Sequence, residues 1–264
     1  MTTALVTGGS RGVGKGVVEG LSEAGFHVFV TGRNKARLAA VETEASTLGG
    51  MVTARCTDHS DDEQVRALFD EIGDLDLLVN CAWGGYENMI ENGEFTWPYP
   101  YWMQPLWRWD AMMQDGVRSA YVASQLATRS MLKRGSGLIV NISFWSAQKH
   151  LGNTVYGMAK AATDKMTSDM AAELQAAGET GIQVVSLYPG LVRTERVMDH
   201  AEFMDLSNSE SPRFIGRVIA ALMQNAQARS ESNGKVRIAA DLAGSLGVTD
   251  VDGKVSTPLQ LEDA

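Results

Sequence analysis

Residues 4–14 read Ala4-Leu5-Val6-Thr7-Gly8-Gly9-Ser10-Arg11-Gly12-Val13-Gly14, a short apolar strand that runs straight into a glycine-rich turn. The stretch from Lys15 to Ala24 that follows has helical character. Glycine adopts positive backbone angles without penalty and lets the chain pass close to a ligand. A helix that begins after such a turn presents unpaired N–H groups and the positive end of its dipole, which together suit a phosphate. The placement between a first strand and a first helix gives the glycine cluster its weight. Gly9 through Lys15 also fits the G-x-x-x-x-G-K pattern of a nucleoside triphosphate loop. That loop needs Ser or Thr next to hold magnesium, and Gly16 stands there, so the ATPase or GTPase reading is dropped.

Outward from this turn, apolar runs alternate with helical stretches. The runs are Ala4–Thr7, His27–Thr31, Met51–Arg55, Leu75–Asn80, Gly137–Ile142, Ile182–Leu187 and Lys235–Ala239, with helices expected over Lys35–Leu48, Asp62–Ile72, Ala111–Leu132 and Val155–Ala177. The alternation predicts an α/β fold: one doubly wound, Rossmann-type parallel sheet with helices on both faces, as a single domain over residues 1–264. Ligands bind such sheets beyond the carboxyl ends of the strands. Residues 84–109 break the rhythm, with Trp97, Tyr99, Tyr101, Trp102, Trp107 and Trp109 among Pro98, Pro100 and Pro105. They read as an irregular insertion after the fourth strand, serving either as a packed loop or subunit contact or as a substrate-pocket wall.

The whole chain narrows the function classes. Hydrophobic residues at 44% and charged residues at 21% fit a chain with a sizeable core, and the net charge of -9 argues against nucleic-acid binding. Cys56 and Cys81 make neither a disulfide framework nor a metal cluster, and are expected reduced and packed. The four histidines show no ligand spacing, so no metal is assigned. With a strand starting at once and no apolar run long enough to span a bilayer, neither a secretory leader nor a membrane association is expected, and the expected setting is a reducing cytosol.

The end of the second strand, Val30-Thr31-Gly32-Arg33-Asn34, carries no carboxylate for the ribose hydroxyls of NAD. Arg33 offers a planar cation for the 2′-phosphate of NADP, with Arg11 as a second, so NADP is favoured over NAD. Tyr156-Gly157-Met158-Ala159-Lys160 sets a phenol and an ammonium on one face of a helix. A neighbouring ammonium lowers a phenol pKa and suits it to exchange a proton with a carbonyl or alcohol oxygen.

Taken in order, these motifs resemble the short-chain dehydrogenase/reductase family from Thr7 to at least Thr194. The matching segments are Thr7-Gly8-x-x-x-Gly12-x-Gly14, Asp58, Asn80-Cys81-Ala82 with Trp83 in place of the usual glycine, Tyr156-x-x-x-Lys160, and Pro189-Gly190-x-Val192-x-Thr194. Trp109-Asp110 and Val251-Asp252-Gly253-Lys254-Val255 narrow the likeness to one of its branches. The resemblance implies an NADP(H)-dependent oxidoreductase that interconverts a carbonyl and an alcohol on a small, apolar substrate, assembled as a homodimer or homotetramer. It implies Ser143, Tyr156 and Lys160 as catalytic residues, with Ser146 as a substitute if the working serine belongs at Phe144. The implied cofactor contacts are Thr7, Gly8, Ser10, Arg11, Gly12, Val13, Gly14, Arg33, Asp58, His59, Asn80, Ala82, Pro189, Gly190, Val192 and Thr194, together with Tyr156 and Lys160. Gly116 stands where the family commonly has a catalytic asparagine. That departure keeps open an alternative, a catalytically impaired NADP-binding regulatory or scaffold protein.

Overall fold

The computed structural model describes residues 1–261. Its strands are β1 (Thr3–Thr7), β2 (His27–Gly32), β3 (Met51–Cys56), β4 (Leu77–Asn80), β5 (Ile90–Glu91), β6 (Glu94–Phe95), β7 (Gly137–Ile142), β8 (Ile182–Tyr188) and β9 (Val236–Ile238). Its helices are α1 (Gly12–Glu23), α2 (Lys35–Ser46), α3 (Asp62–Ile72), α4 (Leu106–Asp110), α5 (Ser119–Arg134), α6 (Thr154–Ala176), α7 (Glu195–Met198), α8 (Pro212–Gln224), α9 (Ala226–Ser232) and α10 (Ala239–Leu246). Seven strands form one parallel sheet in the order β3-β2-β1-β4-β7-β8-β9.

The sheet is buried on both faces because strand residues alternate between two cores. Ala4, Val6, Leu77, Val79, Leu138 and Val140 meet the apolar sides of α1, α2 and α8. Leu5, Leu78 and Ile139, one residue out of phase, meet α3, α5 and α6. α1 and α8 touch closely: a Cβ at Gly16 would fall 2.0 Å from the carbonyl carbon of Pro212. Gly16 therefore has a packing reason for lacking the hydroxyl of a triphosphate loop.

The strand order reverses between β1 and β4, which opens the crevice where such sheets take ligands. The Thr7 hydroxyl closes its floor by accepting the N–H groups of Cys81 and Ala82, each at 3.1 Å. Gly8, at φ +65°, lies so close to Ala82 that a Cβ would come within 2.6 Å of its Cα.

The insertion is more ordered than the sequence predicts. β5 and β6 form a small antiparallel hairpin, and helical structure begins at Leu106 rather than Ala111. Pro105 is the physical reason: it sits extended at the cap, where a missing N–H costs nothing, and leaves the residues after it free to coil. α4 then runs through a π-helical stretch, Ala111–Arg118, into α5. Arg108 organises the insertion from inside. It is fully buried, with its guanidinium over the Trp107 ring at 4.9 Å and donating to the Thr96 hydroxyl at 2.9 Å. Met112 and Met131 are core residues. Cys56 is exposed rather than packed, because it ends an edge strand.

Candidate functional site

A cleft of about 1000 Å³ runs along the carboxyl ends of the strands, and every implied catalytic and cofactor residue lines it except Thr7. Thr7 is 1% exposed and spends its hydroxyl on the Cys81 and Ala82 amides, so its part is to hold the floor. Asn80 does related work, donating to Asn141 at 2.8 Å and Ser124 at 3.0 Å.

At one end of the cleft, Arg33 follows β2 and Asp58 follows β3. Ser60 donates to Asp58 through its N–H and its hydroxyl, which holds the carboxyl below its ordinary pKa, with Arg33 adding to the effect. His59 turns its ring into the sheet, 2.7 Å from the Thr31 hydroxyl, and burial pushes its pKa down to about 4. A neutral imidazole facing away leaves only the His59 backbone to meet a ligand.

Carboxylates meet the groups that would bind phosphate. Arg11 pairs with Glu87 at 2.7 Å, Arg33 with Asp115 at 3.4 Å, and the Gly12 N–H donates to Glu195 at 2.9 Å. An anion standing at the first residue of α1, where no side chain of Arg11 caps the helix, shows that the turn takes negative charge. A dinucleotide with its phosphates fits this cradle.

At the other end, Asn153 caps α6 by accepting the Tyr156 N–H at 3.0 Å, which fixes where the phenol emerges. Tyr156 and Lys160 share one face, as their spacing predicts, but the expected depression of the phenol does not follow. Burial raises the Tyr156 pKa, opposed by the neighbouring Tyr86 and Ser146 hydroxyls. The Lys160 ammonium points elsewhere: it donates to the Ile142 carbonyl at 3.0 Å and lies over the Trp83 ring. Burial pushes its pKa down to about 8, against the pull of Asp164.

Ser143 reaches the cleft from the end of β7. It lines the cleft, but its hydroxyl donates back to the Lys160 carbonyl at 3.3 Å and lies beside Tyr188. Being the first residue after β7, it stands at the carboxyl edge of the sheet, in the same lining as Tyr156 and Lys160. The Ser146 hydroxyl is buried without a hydrogen-bond partner among the described residues, and it lines a separate surface pocket with Gly157 and Met158 rather than this cleft. The place between them belongs to Phe144, which lines the cleft without a hydroxyl.

Sequence reading misses Tyr86, Glu87, Asp115 and Glu195 as cleft residues. Nothing in their spacing marks them, since each is brought in by a loop, a widened helix turn or a short helix. The aromatic insertion was the available signal. Trp97, Tyr86 and Trp83 surround the Tyr156 ring at centroid distances of 5.3, 6.1 and 5.7 Å. The Trp97 carbonyl accepts from Asn153 at 3.1 Å, tying the insertion to the start of α6. Tyr101 and Trp102 instead face outward, 67% and 72% exposed. The insertion therefore divides, with one part walling the phenol and the other on the surface.

Comparison with known proteins agrees with this geometry. The family model described as short chain dehydrogenase matches residues 2–205. Dehydrogenase/reductase SDR family member 1 of Mus musculus is 36% identical over 271 residues, covering 95% of this chain and 83% of the relative. The protein of that name from Homo sapiens is 35% identical with the same coverage. Among solved structures, 3-oxoacyl-[acyl-carrier protein] reductase from Brucella melitensis in complex with NAD superposes with a TM-score of 0.74. It shares 26% identity, covering 90% of this chain and 95% of that one. Among the described residues no helix is long and apolar enough to cross a membrane, and no group of three or more His, Cys, Asp or Glu could hold a metal ion.

Proposed function

Since this chain belongs to the short chain dehydrogenase family of oxidoreductases, we propose that it uses NADP(H) to interconvert a carbonyl and an alcohol on a small, apolar, ring-bearing substrate. The observation that carries the proposal is the convergence of Tyr156 and Lys160, one turn apart on α6, on the cleft that the glycine turn opens. When bound, the nicotinamide supplies or takes up the hydride.

The chain's own residues manage binding and the proton. The α1 N-terminus and the N–H groups of the glycine turn hold the diphosphate. Arg33 and Arg11 meet the 2′-phosphate at the ribose end. The Brucella reductase is in complex with NAD; the cationic Arg33 after β2 is what favours NADP here. Asp58 receives the adenine, and Pro189 to Thr194 flank the nicotinamide end. Tyr156 holds a proton at its hydroxyl oxygen and passes it to the carbonyl oxygen during reduction, or accepts it from the alcohol during oxidation. Its raised pKa keeps the phenol protonated at neutral pH, which favours the donor state. Ser143, which shares the lining of the cleft with Tyr156 and Lys160, is the hydroxyl that steadies the reacting oxygen. Lys160 binds the ribose hydroxyls and supplies positive charge next to the phenol once it turns from Ile142. The Trp83, Tyr86 and Trp97 rings exclude water and accept a flat apolar body.

The test is oxidation of NADPH with a panel of cyclic ketones and quinones. Tyr156→Phe should lose at least about 100-fold in turnover while NADPH binding holds. Intact turnover in that variant would overturn the assignment.

A further inference from the structure

The Lys160 side chain is a cation taken out of water, and among the described residues no carboxylate pairs with it. The residue is 7% exposed, and its ammonium donates to the Ile142 carbonyl at 3.0 Å. The charged and titratable groups around it are Asp164, Cys81 and Tyr156. Asp164, one turn along α6, is already engaged by the Ser186 hydroxyl at 2.6 Å and by the Tyr188 hydroxyl. The Cys81 thiol, just beyond β4, is pushed up to about 12 by burial and so keeps its proton. The Tyr156 ring centroid is 5.8 Å away. What covers the ammonium is the indole of Trp83, with Nζ 4.0 Å from the ring centroid.

The indole is seated by its faces and not by its N–H, because the buried Nε1 has no hydrogen-bond partner among the described residues. Tyr156 and Tyr86 lean on it at 5.7 and 5.9 Å. The remaining side is Gly116, where a Cβ would come within 2.8 Å of the ring carbons Cε3 and Cζ3. The two departures from the family's pattern, Trp83 for a glycine and Gly116 for an asparagine, therefore fit each other: the ring fills the space that an amide side chain would need.

We propose that Trp83 is a positioning residue that holds the Lys160 ammonium in the cleft through a cation–π contact, and that Gly116 exists to admit the ring. The inference rests on Lys160 being part of the working site. An aromatic face attracts a cation most strongly where water is excluded, and this ring offsets part of the burial that lowers the lysine's affinity for its proton.

The test reads Lys160 directly in the cofactor-free protein, by competitive labelling with trace acetic anhydride across a pH series and mass spectrometry of the Lys160 peptide. In Trp83→Leu the midpoint should fall by roughly half a unit to one unit, and in Trp83→Phe by less. Gly116→Ala, which pushes the ring aside, should shift it in the same direction as Trp83→Leu. The alkaline limb of the kcat/KM profile should move with the midpoint, which loss of packing alone would not produce. Near-ultraviolet circular dichroism checks that each variant is folded. If Trp83→Leu does not fold, Trp83→Phe and Gly116→Ala decide the matter. An unmoved midpoint in the folded variants overturns the proposal. Because labelling needs no turnover, failure to reduce any carbonyl would sink the enzymatic reading while the lysine result still stood.

Discussion

The Glu195 carboxylate accepts a hydrogen bond from the Gly12 N–H at 2.9 Å, where α1 opens onto the cleft. A bound diphosphate needs that N–H and is repelled by that charge, so the two compete for one donor. Glu195→Gln keeps an acceptor but removes the charge. The expected result is a dissociation constant for NADPH lower by roughly 3- to 10-fold, the equivalent of about 1 kcal/mol. Cofactor fluorescence titration measures it. The gain should shrink at high salt, because the pair is exposed and screened. Weaker binding in the variant would mean that Glu195 helps rather than competes.

Arg33 bears on the choice between NADPH and NADH. Its pairing with Asp115 at 3.4 Å is long and exposed, so the guanidinium is easily recruited by a 2′-phosphate that offers better geometry. Arg33→Ala should raise the dissociation constant of NADPH by roughly 10- to 100-fold and that of NADH by less than about 3-fold. Equal losses for both cofactors would remove the basis for assigning NADP.

The frame of this site was legible in the sequence because it rests on local rules. Thr7 to Gly14, Arg33 and Asp58 follow directly after strands, and four residues of helix set Tyr156 beside Lys160. What was hidden depends on contacts between distant segments. The length of α6 gives no hint that Lys160 would turn to the Ile142 carbonyl, nor that the Ser143 hydroxyl would bond the Lys160 carbonyl. The insertion was misjudged for a similar reason. Its prolines argue against regular structure, but the buried Arg108 gathers Thr96, Asn88 and Trp107 around one cation. No periodicity announces such a centre.

The two serines should separate in kinetics. Ser143 lines the cleft with Tyr156 and Lys160, so Ser143→Ala should lower kcat by roughly 10- to 100-fold with little change in cofactor binding. Ser146 is buried outside the cleft with no hydrogen-bond partner among the described residues, so Ser146→Ala breaks no hydrogen bond and should change kcat by less than about 3-fold. Steady-state rates and thermal melts of the pair provide the comparison. The reverse ranking would make Ser146 the working hydroxyl.

Glu210 makes stability depend on pH in a direction opposite to that of most carboxylates. It is 1% exposed, accepts the Gly190 N–H at 2.8 Å and shares its surroundings with Asp250. Burial, with Asp250 adding like charge, raises its pKa from 4.5 to about 7, against the smaller pull of the Gly190 N–H, Lys254 and Arg193. Between those two values the folded state keeps a proton that the unfolded chain has released, so stability falls as pH rises through the window. Above about 7 the carboxylate is buried with its charge, at a cost on the order of 2–3 kcal/mol. Glu210→Gln retains an acceptor for Gly190 and removes the titration. Its melting temperature should exceed that of the unmodified protein by roughly 4–8 °C at pH 8 and match it near pH 5. Lys160, with its pKa lowered to about 8, titrates at the upper end of this range in both proteins, so comparing them at the same pH cancels its effect. If the two proteins melt in parallel from pH 5 to pH 8, the Glu210 carboxyl is already ionised in the folded state, and the segment from Pro189 to Thr194 is held by a charge and not by a proton.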